Sequence, residues 1–115
     1  MKLSRVLSDE AAADVDDIYE YTKKNFDKSQ ADKYIAGLFA EIEKRSSNPY
    51  YATRPESEIA GRLGLSDLRS FLYKRIHRCY FTFDDERLFV LAVYHGARDP
   101  EKIVDRIKRT GEAEF

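Results

Sequence analysis

Tyr94, His95, Arg98 and Asp99 crowd around Gly96 where the apolar run Leu88–Val93 ends. An imidazole can take and return a proton near neutral pH, a guanidinium can neutralise a developing anion, and a phenol can stack on a base. Arg69, Arg78 and Tyr80 lie a little upstream, with Lys74 and Arg75 between them. These types match what metal-free RNA cleavage needs. His95 would serve as base or acid, Arg69 and Arg98 as charge stabilisers, and Tyr80 or Tyr94 as a stacking or proton-transfer group. Lys74, Arg75 and Arg78 would grip phosphate. The same residues have plainer explanations. Gly96 can be a turn, Arg98–Asp99 a solvated pair opening a helix, and the basic cluster a charged hairpin edge that resists strand pairing. Both readings stay open on sequence alone.

Other chemistries have less to stand on. His77 and His95 are eighteen residues apart and Cys79 lies inside an apolar strand pattern, so a zinc site has weak support. Neither a metal nor a cofactor is expected. There is no glycine-rich phosphate loop, and Ser66-Asp67 lacks a nucleophile elbow. Cys79 is the only cysteine, which excludes an internal disulfide and makes a small buried core residue of it. Asp14, Asp16, Asp17 and Glu20 are expected on a solvated helix face.

Hydrophobic pattern indicates the scaffold around these groups. A continuous apolar run such as Leu88–Val93 is that of a strand covered on both faces. It is therefore expected in the middle of a sheet, delivering His95 and Arg98 to the rim. Upstream, Leu3–Leu7 is a short strand. Ser8 caps a helix over roughly 9–25, with Asp9 and Glu10 in its first turn. Ala11, Val15, Ile18 and Thr22 form one apolar row on it, and Ala12, Val15, Tyr19 and Phe26 a second. Asp27 or Ser29 caps the next helix, whose stripe is Ala31, Tyr34, Ile35, Leu38, Phe39 and Ile42. It should stop near Ser46, before Pro49.

Residues 48–67 are irregular, with a turn of helix expected near Glu56–Gly61. Leu68–Tyr73 and Ile76–Asp84 then read as strands, reversing at Lys74-Arg75 and again at Asp84-Asp85-Glu86-Arg87. Pro100 opens a short closing helix carrying Ile103, Val104 and Ile107, with Asp99 as its cap and a frayed tail over Thr110–Phe115. The resulting fold class is α+β: a two-layer domain spanning 1–115, with an N-terminal strand and an antiparallel helical hairpin on a largely antiparallel four-stranded sheet (β-α-α-β-β-β).

Composition bounds the partners. The chain has 115 residues, enough to bury roughly two-thirds of its unfolded surface without a staple. Its hydrophobic share of 43% and charged share of 36% suit a soluble protein, and no apolar run nears the ~20 residues of a membrane span. No signal-peptide pattern is seen, so the cytoplasm is the expected compartment. The net charge of −1 leans away from nucleic acid as the main partner and toward protein.

Residue by residue, the chain resembles the RelE/ParE toxin superfamily of type II toxin–antitoxin modules. Leu7-Ser-Asp-Glu-Ala11 with Asp14, Ile18 and Tyr21 is similar to that family's opening strand and first helix. Ala31, Tyr34 and Ile35 match its second helix. Leu68-Arg69 with Phe71, and Tyr80-Phe81 with Phe83, match its middle strands. Val93-Tyr94-His95-Gly96-Ala97-Arg98-Asp99 is similar to the ending of the ParE-like branch. The resemblance spans residues 3–107. It implies a growth inhibitor silenced by a cognate antitoxin. In the ParE branch it implies binding to DNA gyrase without enzymatic chemistry. The alternative is a RelE-like mRNA endonuclease acting on the ribosome through Arg69, Tyr94, His95 and Arg98. Functional-site candidates are Arg69, Arg78, Tyr80, Tyr94, His95, Arg98 and Asp99.

Overall fold

The backbone of Leu88–Val93 has to find partners on both edges as well as cover on both faces, and this requirement shapes the architecture. A computed structural model describes residues 2–96 and 100–114. The elements are β1 (Ser4–Leu7), α1 (Asp9–Asn25), α2 (Lys28–Ser47), β2 (Arg54–Pro55), α3 (Ser57–Leu63), β3 (Arg69–Tyr73), β4 (His77–Phe83), β5 (Arg87–His95) and α4 (Pro100–Glu114). The sheet order is β1-β5-β4-β3-β2, so β5 lies inside, parallel to β1 and antiparallel to β4.

The helix ends obey local chemistry. The Ser8 hydroxyl accepts the Ala11 amide at 3.0 Å, and the Asp27 carboxylate accepts the Gln30 amide at 2.7 Å. Of the two candidate caps for α2, Asp27 is therefore the one used. Gly64 ends α3 in the left-handed conformation at φ 68°, where it carries no Cβ penalty.

The sheet has five strands rather than the four expected. The extra one, β2, is two residues long and includes Pro55, which suits an edge but leaves no periodicity to detect. The expected turn of helix appears as α3. The closing helix runs to Glu114, past the point where fraying was expected. The capping role of Asp99 falls outside the described residues. Among the described residues no helix is long and apolar enough to cross a membrane.

Two apolar cores flank the sheet. On one face Val15 and Ile18 of α1 and Leu38 and Ile42 of α2 pack on Phe71, Cys79, Phe81, Leu88, Val90 and Val93. On the other, Ile59 and Ala60 of α3 and Ile103, Val104 and Ile107 of α4 cover Tyr80, Leu91, Ala92 and Tyr94. The helical hairpin is thus one layer, as expected, and α3 with α4 adds cover on the opposite side. Gly37 lets α2 approach the sheet closely: a Cβ there would collide with the Tyr73 hydroxyl, which donates to the Tyr34 carbonyl at 2.8 Å.

A bulge divides β5 between the cores. Phe81 faces Val90 and Tyr80 faces Ala92, so Leu91 is the extra residue. Leu91 and Ala92 consequently enter the same core, and the alternation restarts with Val93 on the α1–α2 side.

Past the end of β1, Ser8 and Asp14 serve the β5 edge. The Ser8 amide donates to the Val90 carbonyl at 3.0 Å and the Ser8 hydroxyl to the Leu91 carbonyl at 3.1 Å. The Val93 amide donates to Asp14 Oδ2 at 2.9 Å. Asp14 also binds the Arg106 guanidinium, which donates to Glu10 Oε2 at 2.7 Å. Asp14 is therefore buried, contrary to its expected place on a solvated face. Burial raises its carboxyl pKa, against the lowering effects of the Val93 amide and Arg106. Phe26 corrects the sequence expectation in the other sense. Counted in an apolar row, it is 71% exposed at the end of α1.

Two substitutions test this packing by urea denaturation. Gly37→Ala should destabilise by about 1–3 kcal/mol through overpacking against Tyr73, although alanine is the better helix former. Asp14→Ala should cost about 2–4 kcal/mol and speed hydrogen exchange at the Val93 amide, which loses its acceptor. Unchanged exchange at Val93 would mean another group serves that amide.

Candidate functional site

The pleat separates the residues that the sequence places side by side. Tyr94 is opposite Arg78 and belongs to the α3–α4 core, whereas His95 is opposite His77 on the other face. Tyr80 and Tyr94 meet edge to face at 6.1 Å, and both are buried. The Arg106 guanidinium lies 5.1 Å from the Tyr94 ring. Burial raises the Tyr80 phenol pKa. These two tyrosines are core groups in this arrangement.

Arg78 donates to the Ser70 hydroxyl at 2.9 Å, and Ser70 in turn donates to Glu56 Oε2 at 2.6 Å, where Arg54 also binds. Burial and then the neighbouring Arg54 lower the Arg78 pKa. Arg69 donates to the Thr53 hydroxyl at 2.7 Å and lies 4.9 Å from the Tyr50 ring. It is opposite Phe81, four residues along β4 from His77, which is about 13 Å at strand spacing. Arg98 and Asp99 lie outside the described residues. Among the described candidates, therefore, the arginines, the tyrosines and His95 do not converge on one point.

What does converge is a groove on the α1–α2 side of the sheet. It is an open cavity of about 890 Å³ between the end of α1, the start of α2 and the β3–β4 turn. Tyr21, Phe26 and Ile76 line it, and all three are exposed. Large apolar side chains gathered in one open groove mark a contact surface more than isolated ones do. Lys33, Lys74 and Asp17 add charge, and Tyr34, His77 and His95 form the sheet-side wall.

The turn that frames the groove is strained. Lys74 and Arg75 take φ of 52° and 59°, and the Ile76 amide closes onto the Tyr73 carbonyl at 3.0 Å. Asparagine and glycine are the usual residues at such positions. Two cations are held there instead.

His77 is half-buried. Its Nδ1 and the Tyr34 hydroxyl share a hydrogen bond of 2.7 Å, and its ring meets His95 edge to face at 5.4 Å. Burial, and secondarily His95, push its pKa down to about 4. Sequence reasoning weighs His77 only as a poor zinc ligand and places Phe26 in the core. The one signal to the contrary is Phe26 itself, an aromatic in the polar break Asn25-Phe-Asp-Lys-Ser29.

Comparison with known proteins bears on the whole arrangement. The family described as the ParE toxin of the type II toxin–antitoxin system parDE matches residues 6–100. The chain belongs to the ParE toxin family. Among solved structures, a chain from the chromosomal ParDE toxin–antitoxin system of P. aeruginosa shares the fold. It is 18% identical with a TM-score of 0.67, and the match covers 84% of this chain and 98% of that one. No curated protein matches the sequence. The family match runs from Val6, within β1, to the first residue of α4, and so takes in every residue that lines the groove of this ParE-type toxin.

The His77 shift has a consequence for stability. An ordinary histidine binds its proton near 6.5, whereas His77 does so only near 4 in the fold. Between those values the unfolded chain holds more protons, so this toxin loses stability as the pH falls through that window. Thermal melts from pH 7 to 4 should show the loss, and His77→Gln should flatten it. An identical pH profile in the variant would assign the loss elsewhere.

Proposed function

We propose that this ParE-type toxin inhibits growth in the cytoplasm by protein–protein contact with DNA gyrase, and that a cognate antitoxin silences it. The observation that carries the reading is the separation of Tyr94 from His95 across the sheet, beside an exposed apolar groove. Transfer of a proton within a phosphodiester requires acid, base and cation within hydrogen-bond reach of one substrate. The described candidates are divided between two faces. A contact surface requires only exposed apolar anchors and complementary charge, and Tyr21, Phe26 and Ile76 with Lys33 and Lys74 supply both. The net charge of −1 favours a protein target over the ribosome. Gyrase itself is suggested by family membership.

The antitoxin is assigned to the groove. An acidic segment with apolar anchors, folding as it docks, satisfies its lining. Because Phe26 is exposed, its replacement leaves the core intact.

A supercoiling assay with purified gyrase should be run beside an in-vitro translation reaction probed for mRNA cuts. The expected result is loss of supercoiling with intact mRNA, while cut mRNA would establish the endonuclease reading in its place. Phe26→Asp should weaken antitoxin binding by at least about tenfold, the loss of a buried aromatic anchor. Antitoxin binding at full strength by Phe26→Asp would move its site elsewhere.

A further inference from the structure

The eighteen residues between His77 and His95 conceal a direct pairing. The two are partners across β4 and β5, and the Gly96 amide donates to the Ile76 carbonyl at 2.8 Å. A bond between the flanking residues identifies His77–His95 as a pair that exchanges no backbone hydrogen bonds of its own. In that type the Cα atoms approach to about 4.5 Å and the side chains stand closest. Both rings leave the same face, into the groove, with centroids 5.4 Å apart.

We propose that His77 and His95 form a two-histidine site for a divalent transition ion of the nickel and zinc class, with water filling the remaining positions. Imidazole nitrogen suits such ions, whereas magnesium and calcium require oxygen. The strands hold both ligands at adjacent positions, so binding requires no rearrangement of the backbone. The Tyr34 hydroxyl at Nδ1 of His77 is an outer partner of the kind that orients a ligating ring. When Nδ1 donates to it, Nε2 is left as the free nitrogen.

The ligand set is otherwise sparse. No group of three or more metal-ligating side chains occurs among the described residues. Lys33 and Lys74 line the same groove and oppose a cation, and Asp17 favours one. The site is thus open and exchangeable, unlike a closed structural centre. It requires only the β4–β5 register and the ring geometry, so its failure leaves the docking reading untouched.

The test is calorimetric titration of the tag-free full chain with nickel chloride at pH 7.5, with magnesium chloride as control. Saturable binding of one nickel ion per chain and none of magnesium is expected. His95→Gln alters an exposed side chain and should weaken nickel binding by at least about tenfold, and Tyr34→Phe by about tenfold. Circular dichroism unchanged from the parent shows that the variants fold. Absence of saturation by 1 mM nickel, or equal binding by folded His95→Gln, would overturn the proposal.

Discussion

A buried strand must satisfy its backbone on both edges, and β1 is too short to do so for β5. β1 pairs with β5 only as far as Leu7 opposite Val90. Beyond it, the Leu91 carbonyl and the Val93 amide are served by the side chains of Ser8 and Asp14. An unpaired buried backbone group costs about 1–3 kcal/mol, so this edge is a strong constraint on how α1 leaves the sheet. Ser8 meets it while also capping α1, which couples the direction of the helix to the position of the strand. Asp14 meets it from the second turn of α1 and needs a cation in turn, which Arg106 brings from α4. Two helices on opposite faces of the sheet are therefore tied through one carboxylate at its edge.

The bulge at Leu91 assigns Tyr94 and His95 their places. Uninterrupted alternation from Leu88 and Val90 would turn Tyr94 toward the helical hairpin and His95 toward α3 and α4. One extra residue reverses this. Tyr94 goes into the α3–α4 core and His95 goes opposite His77 at the wall of the groove. Adjacent residues of a strand face opposite sides in either case, and the bulge decides that His95, rather than Tyr94, stands at the groove.

Much of the architecture is legible from neighbours along the chain. The cap at Ser8, the break at Asn25–Ser29, the apolar stripe of α2 and the run Leu88–Val93 each depend on interactions within a turn of helix or along one strand. Local propensity and periodicity report those directly, and the observed boundaries differ from the expected ones by a residue or so. The order of these pieces also carried the family resemblance. β2 left no trace because two residues with a proline have no period, and α3 was visible only as a turn.

Long-range pairing governs the remainder. Asp14 has the composition of a solvated helix face, and it is buried because an amide distant in sequence needs an acceptor. Phe26 has the spacing of a core residue, but it follows the last turn of α1 and lines the open groove instead. His77 and His95 stand opposite one another through strand register and a single bulge, neither of which leaves a periodic mark. Residue order alone was enough for the helices, the buried strand and the ParE-type succession of elements, because those rest on contacts between near neighbours. Which side chains share a face was settled in three dimensions, because that depends on how distant strands slide past one another.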